Sequence, residues 1–205
     1  MQKRTIEDRL REEYFELLPE IHRAVWQIES EVRFYTRDIC LSLNNPEQLI
    51  IKSRVKDCES ALSSLQRACR REGQEFDPED PDAYSLRQLP DLAGIRILVF
   101  PNKRVHEVDA ILRIHFADLS AKPIKNHKRE VLAPRYFGYC DNRGGSKRVS
   151  VEYRVVPMLL GLLWEVEHSA MYKFKAVAAS KEMRKRRSEV EKALAHFEEG
   201  VERFL

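Results

Sequence analysis

Asp91, at the start of DLAGIRILVF, and Glu152, inside VSVEYRVV, are carboxylates set at or within short β-branched runs. Such runs have the pattern of buried strands. A carboxylate brought to the mouth of a buried strand is costly unless an ion or a hydrogen-bonding partner takes it up. Two carboxylates from neighbouring strands are a usual way to hold hydrated magnesium against phosphates. A plain structural alternative has Asp91 capping a turn and pairing with Arg96, while Glu152 faces solvent.

Three other stretches carry groups that suit a nucleotide. In IKSRVKDCESALSSLQR, read as helix, Lys56, Ser60 and Arg67 return to one side, because steps of four and seven residues share a face. Arg54 stands off that stripe. A fixed cationic helix suits a triphosphate; a solvated charged face is the bland alternative. In YFGYCDNRGGSK, residues 136–147, Tyr139 follows Gly138, with Arg135 ahead and Arg143, Lys147 and Arg148 at its far side. A ring among cations can stack on a base while the cations meet phosphates. A hairpin whose glycines make the turn, with Tyr139 packed on a neighbour, uses the same residues. In LLWEVEHSAMYKFK, Glu165, Glu167, His168, Tyr172 and Lys173 crowd one helix, and His168 and Tyr172 share a face. HExxH is absent from that helix, which excludes a zinc-protease site there, and a structural hydrogen bond is the simpler role for His168.

The elements that must position these groups follow from periodicity. Residues 4–43 read as helix, broken or kinked near Pro19, with Trp26, Ile28, Val32, Phe34 and Ile39 apolar. LNNPEQ is a turn opening a second helix, whose seam runs Ile51, Val55, Cys58, Leu62, Leu65, Cys69 at alternating four and three. The proline-rich acidic REGQEFDPEDPDAYS is a loop. AGIRILVF is a buried strand, and Val105, Val108, Ile111 and Leu112 mark a crossover helix. A short strand is expected in LSAKPIKN and another in RVSVEYRVV. From Met158 the chain is helical, with Leu159, Leu160, Leu163 and Val166 inward, and a last helix carries Val190, Leu194, Phe197, Val201 and Phe204. The expected fold class is α+β: a small mixed sheet flanked by N- and C-terminal helices.

Composition bounds the function. The chain has 205 residues, 34% charged and 43% hydrophobic, enough for one domain with a respectable core. A net charge of +3 is too small to speak for the whole molecule, so local clusters carry any argument about anions. Cysteines 40, 58, 69 and 140 have no CxxC or zinc-like spacing, and Cys58 and Cys69 read as buried free thiols. There is no apolar run of membrane-span length and no signal-peptide stretch, so a cytoplasmic location is expected.

In this order, the motifs resemble the synthetase domain of the RelA/SpoT family, including its small single-domain alarmone synthetases. That family reads approximately R-x-K-x-x-x-S, D-x-x-G-x-R, P-K-x-x-G-Y, E-x-Q and E-H-x-x-x-Y-K. The matches are Arg54, Lys56 and Ser60; Asp91, Gly94 and Arg96; Pro134, Gly138 and Tyr139; Glu152; and Glu167, His168, Tyr172 and Lys173, spanning about residues 48–175. The resemblance implies a nucleotidyltransferase-like domain over residues 1–205. It implies ATP-dependent transfer of pyrophosphate to the 3′-hydroxyl of GDP or GTP, making the (p)ppGpp alarmone. Asp91 and Glu152 would hold Mg2+ and act in catalysis; Arg54, Lys56, Ser60 and Arg96 would bind ATP. Tyr139, Arg135, Arg143 and His168 would bind the acceptor. No His–Asp dipeptide occurs, so the family's hydrolase domain is not expected.

The departures fall mostly on the acceptor side. Ser64 stands where a lysine is usual, Arg135 replaces the lysine after Pro134, and Asp141, Asn142 and Arg143 replace Ser-x-His. Arg154 and Val156 replace the glutamine and arginine of the strand motif. A second reading therefore keeps the reaction and changes the acceptor to the 3′ end of tRNA, as in toxic relatives. KEMRKRR and KPIKNHKR would guide the RNA, and an antitoxin protein would be a partner. A third reading is a catalytically inactive nucleotide sensor.

Overall fold

The computed structural model describes residues 5–71, 73, 76–77, 80–126, 129–140, 149–173 and 181–204. Helix α1, Ile6–Tyr35, opens with a capping box in which Thr5 and Asp8 serve each other's backbone amides. Its buried stripe runs Leu10, Tyr14, Leu17, Ile21, Val25, Ile28 and Val32. The expected interruption at Pro19 does not occur. Pro19 is exposed inside a continuous helix, so the carbonyl it leaves without a donor can turn to water. The break comes at Thr36, ahead of α2, Arg37–Ser42. Trp26 and Phe34, expected among the apolar positions, lie on the solvent side.

The helix expected from LNNPEQ onward is two elements. Strand β1, Gln48–Val55, comes first, and α3, Cys58–Arg71, follows with Ala61, Leu62, Leu65 and Cys69 buried. Asp57 Oδ1 accepts from the Ser60 amide at 2.9 Å and starts α3. The misreading has a physical cause: Ile51 and Val55 are four apart, which returns to one side of a helix and also of a strand.

After two single 3-10 turns, Pro81–Ala83 and Leu86–Gln88, the remaining elements are β2, Ala93–Phe100; α4, Lys103–His115; β3, Ser120–Ala121; β4, Ile124–Lys125; β5, Val131–Ala133; β6, Arg135–Cys140; β7, Val149–Pro157; α5, Met158–Lys173; and α6, Lys181–Glu202. The main sheet has the order β1-β2-β7-β6-β3, with β4 and β5 forming a separate pair. β2 and β7 run parallel and the other neighbours antiparallel, so the sheet is mixed as expected. A parallel pair needs a long crossover, here the chain through α4 and β3–β6.

One sheet face buries Ile95, Ile97, Val99, Val151, Tyr153 and Val155 in the main core, which α1, α3 and α4 complete. On the other face Leu98, Ala133 and Val156 pack with Met158 and Trp164 of α5. A Cβ on Gly161 would stand 2.4 Å from Leu98 Cδ2, so this glycine lets α5 lie close on the sheet. Val166, expected to face inward, is exposed, as are Val190, Phe197 and Phe204 of the last expected stripe. α6 docks by carboxylates instead: Glu198 is buried and accepts from Asn102 Nδ2 at 2.5 Å, and Glu202 accepts from the Lys103 amide at 2.9 Å. No described helix is long and apolar enough to cross a membrane.

Candidate active site

Strand pairing builds the site. Lys52 is opposite Arg96, Arg96 opposite Arg154, and Arg154 opposite Arg135, so four strands present one row of cations. With strands about 4.8 Å apart, that row is about 14 Å long. Two residues along the strands, on the same face, the next row reads Arg54, Gly94, Glu152, Phe137. The Lys56 amide bonds Leu92 O at 3.0 Å, which carries the pairing just past β1 and sets Lys56 beside Asp91.

A cleft of about 180 Å³ opens over these rows. Among the residues singled out from sequence, Arg54, Asp91, Arg96 and Glu152 line it. Lys52, Arg154 and Glu165 line it as well. Lys56 stands behind it: its Nζ donates to Asp91 Oδ1 at 2.6 Å and Oδ2 at 2.7 Å, and its side chain is 7% exposed. Asp91 thus pairs with Lys56, not Arg96. Arg96 Nη1 instead donates to Glu165 Oε1 at 2.9 Å, while Lys52 Nζ meets Glu165 Oε2 at 2.8 Å. Glu152 is 4% exposed and accepts from Arg154 Nε, so it does not face solvent. Ser60 lies in the first turn of α3, its amide turned to Asp57, and Arg67 Nη2 meets Ser64 further along that helix. Neither the Lys56–Ser60–Arg67 helix stripe nor a cationic helix at the cleft is formed, because Lys56 precedes α3.

The electrostatics follow from crowding. Burial pushes Glu165 up, but Lys52 and Arg96 outweigh it and hold the carboxyl below the usual glutamate range. Burial, aided by Arg96 and Arg135 and opposed by Asp91, pushes Arg154 down to about 10. It remains a cation at neutral pH. Burial also lowers Arg135, again against Asp91.

A second cleft, of about 440 Å³, lies at the β6–β7 side and is lined by Tyr139, Phe137, Ser120, Asp118 and Gln88 among others. Tyr139 is 52% exposed and lines that cleft. The Arg135 guanidinium sits 4.8 Å from the Phe137 ring centroid, and its Nε donates to Lys122 O at 3.0 Å. Gly138 faces the core, where an added Cβ would fall 2.0 Å from Leu119 Cδ2. Arg143, Lys147 and Arg148, and the side chains of His168, Tyr172 and Lys173, lie outside the described residues.

Sequence reasoning missed Lys52 and underused Glu165 and Arg154. The signal for Lys52 was present: Lys52, Arg54 and Lys56 alternate at period two, which on a strand puts three cations on one side.

Among solved structures, the chain superposes on small alarmone synthetase 1 from Bacillus subtilis bound to its product pppGpp with a TM-score of 0.69. The two are 16% identical over 94% of this chain and 96% of that one. The same enzyme bound to AMPCPP gives 0.65 at 18% identity over 94% and 96%. A GTP pyrophosphokinase family protein from Streptococcus pneumoniae gives 0.65 at 20% identity over 92% and 91%. No family model matches the sequence, and no curated protein matches it. At these identities the likeness is one of architecture, and it runs nearly end to end: the chain has the fold of the small alarmone synthetases.

Proposed function

We propose that this chain is an ATP-dependent pyrophosphokinase acting on the 3′-hydroxyl of GDP or GTP. The observation that carries the reading is the pairing of clefts on one sheet. A cation row with two adjacent carboxylates suits a triphosphate, and an aromatic cleft beside it suits a base. In this reading Arg54 and Arg96 bind the ATP phosphates, with Lys56 holding Asp91 in place and Ser60 at the mouth of α3. Tyr139 stacks on the acceptor base, and Arg135, Arg143 and His168 serve the acceptor side.

The acceptor 3′-oxygen forms a bond to the β-phosphorus of ATP while the bond from that phosphorus to the α,β-bridging oxygen breaks. AMP leaves with the bridging oxygen, and Glu152 takes the hydroxyl proton. Asp91 and Glu152 open on one cleft and offer hard oxygen donors, with phosphates and water to complete a shell, so they fit magnesium. When bound, the ion would neutralise phosphate charge during the transfer. The protein's own part is alignment: fixed cations hold the donor in line, and the buried strand carboxylate meets the attacking hydroxyl.

The test is incubation of the full chain with ATP labelled at the β- or γ-phosphate, magnesium, and GDP, GTP, ATP or tRNA in turn. Label transfer to GDP or GTP, with AMP released in equal amount, is expected. Transfer only to tRNA would move the assignment to the 3′-end toxin reading and its antitoxin partner. ATP binding without transfer to any acceptor would leave a nucleotide sensor.

A further inference from the structure

Arg154 sits at the seam of the site. Its strand, β7, lies between β2, which carries Arg96, and β6, which carries Arg135 and Tyr139. It faces both arginines in register, and like charges directly opposite on neighbouring strands are destabilising. Arg96 is already matched by Glu165 at 2.9 Å, and Glu165 is shared with Lys52. Glu152 is the carboxylate that hydrogen-bonds Arg154 among the described residues, through Nε alone, while Asp91 acts on it only through space. A guanidinium has five N–H donors in a flat fork. Those on Nη1 and Nη2 meet no acceptor among the described residues, although the side chain is only 27% exposed and lines the 180 Å³ cleft.

If the task at this position were only to satisfy Glu152, a neutral amide donor would do so without setting a third guanidinium between two others. Val156, the next residue on the same face, is sealed against Leu98, whereas Arg154 lines the open cleft. A forked, unspent donor pair on a residue that lines a cationic cleft suits phosphate oxygens two at a time.

We propose that Arg154 is a phosphate ligand of the transferred group: its Nε edge holds Glu152, and its Nη donors bind oxygens of the pyrophosphoryl group as it passes from donor to acceptor. The inference rests on the assignment of this cleft to ATP-dependent pyrophosphate transfer. Because the charge on the group in transit is spread over its equatorial oxygens, this contact acts mainly on turnover and less on ATP binding.

The experiment measures binding of inorganic pyrophosphate and inorganic triphosphate to the full chain by titration calorimetry, with kcat and KM for ATP, in wild type, Arg154→Gln and Arg154→Lys. Arg154→Gln should lower kcat by roughly ten- to a hundredfold, the scale of one or two charged hydrogen bonds. Affinity for pyrophosphate and KM for ATP should both weaken by a smaller factor, because each reports a ground state. Arg154→Lys keeps the charge and loses the fork, so it should fall between the two; lysine binding pyrophosphate like wild type would overturn the forked contact. Should Arg154→Gln fail to fold, the lysine variant alone decides. Unchanged pyrophosphate affinity and kcat in a folded Arg154→Gln protein, with a lower melting temperature, would make Arg154 a structural partner of Glu152 and end the proposal. The two readings separate cleanly. Arg154-dependent pyrophosphate binding by a protein that transfers nothing would remove the pyrophosphokinase assignment and keep the anion site; normal turnover in Arg154→Gln would do the reverse.

Discussion

On the sheet face that carries the cleft, two neighbouring rows of residues meet opposite fates. Leu98 and Val156, opposite each other on β2 and β7, are sealed under α5 with Met158 and Trp164. The adjacent pair on the same face, Arg96 and Arg154, lines an open cleft. The two rows are about 6.6 Å apart, two residues of strand. What separates them is the roof. Gly161 brings α5 down onto Leu98, and one turn later Glu165 reaches Lys52 and Arg96 rather than the apolar row. The same helix therefore dries one end of the face and supplies a counter-charge at the other. Where α5 stops covering the sheet decides which of the two rows opens as a cleft.

The largest effect is expected where the open row meets its carboxylates. Asp91→Asn and Glu152→Gln should each lower pyrophosphate transfer by roughly a hundred- to a thousandfold, by analogy with loss of one preorganised stabilising group from a reaction centre. Each also leaves a partner cation short of its counter-charge, Lys56 in one case and Arg154 in the other, so melting temperatures should be recorded alongside turnover. Near-normal turnover in either folded variant would detach that carboxylate from the chemistry.

The two rows can then be set against each other. Leu98→Ala should cost about 2–5 kcal/mol of stability in denaturant unfolding, since it empties a fully buried site, and should leave ATP affinity close to wild type. Arg54→Ala should do the opposite, weakening ATP roughly ten- to a hundredfold with little change in unfolding. If Leu98→Ala lost ATP affinity to the same degree under native conditions, the rows would not be separable.

Smaller still is the acceptor side. Tyr139→Ala should weaken acceptor binding by about 1–3 kcal/mol, and Tyr139→Phe should retain most of it, because the π face survives. ATP affinity should hold in both. A Tyr139→Ala protein with a normal acceptor titration and a lowered melting temperature would reduce the ring to packing.

The smallest effect concerns the roof's counter-charge. Glu165 is held below its ordinary value of 4.5, so it contributes stability above that pH. The contribution is lost as pH falls from there through the lowered folded value. Melting temperature should drop across that interval in wild type, and the drop should be shallower in Glu165→Gln. Parallel curves would mean that the Lys52–Glu165–Arg96 cluster adds nothing to folding.

Much of the architecture was legible from periodicity. AGIRILVF and VSVEYRVV are short and β-branched and became β2 and β7, and Val105, Val108 and Leu112 marked α4 correctly. The stretch around Ile51 was not legible. Its four-residue step satisfies helix and strand alike, and only pairing with β2 over eight residues decides for the strand. The terminal helix misled for another reason. Its apolar stripe was read at four-three spacing, yet Val190, Phe197 and Phe204 are exposed, and polar contacts of α6 include Glu198 with Asn102, Glu202 with the Lys103 amide and Arg187 with Glu167.

By itself the sequence determined which groups are present and which residues within one strand share a face: Arg96 with Gly94 and Leu98, Glu152 with Arg154 and Val156. These follow from local backbone geometry, where side chains alternate whatever the strand's neighbours are. Only the tertiary structure decided that β7 lies beside β2 and β6, and with that the row Lys52, Arg96, Arg154, Arg135 and the pairs Lys56–Asp91 and Arg154–Glu152. Strand order and the descent of α5 onto Leu98 depend on packing between segments far apart in the chain. No local pattern encodes which carboxylate will meet which cation until that packing has set the distance between them.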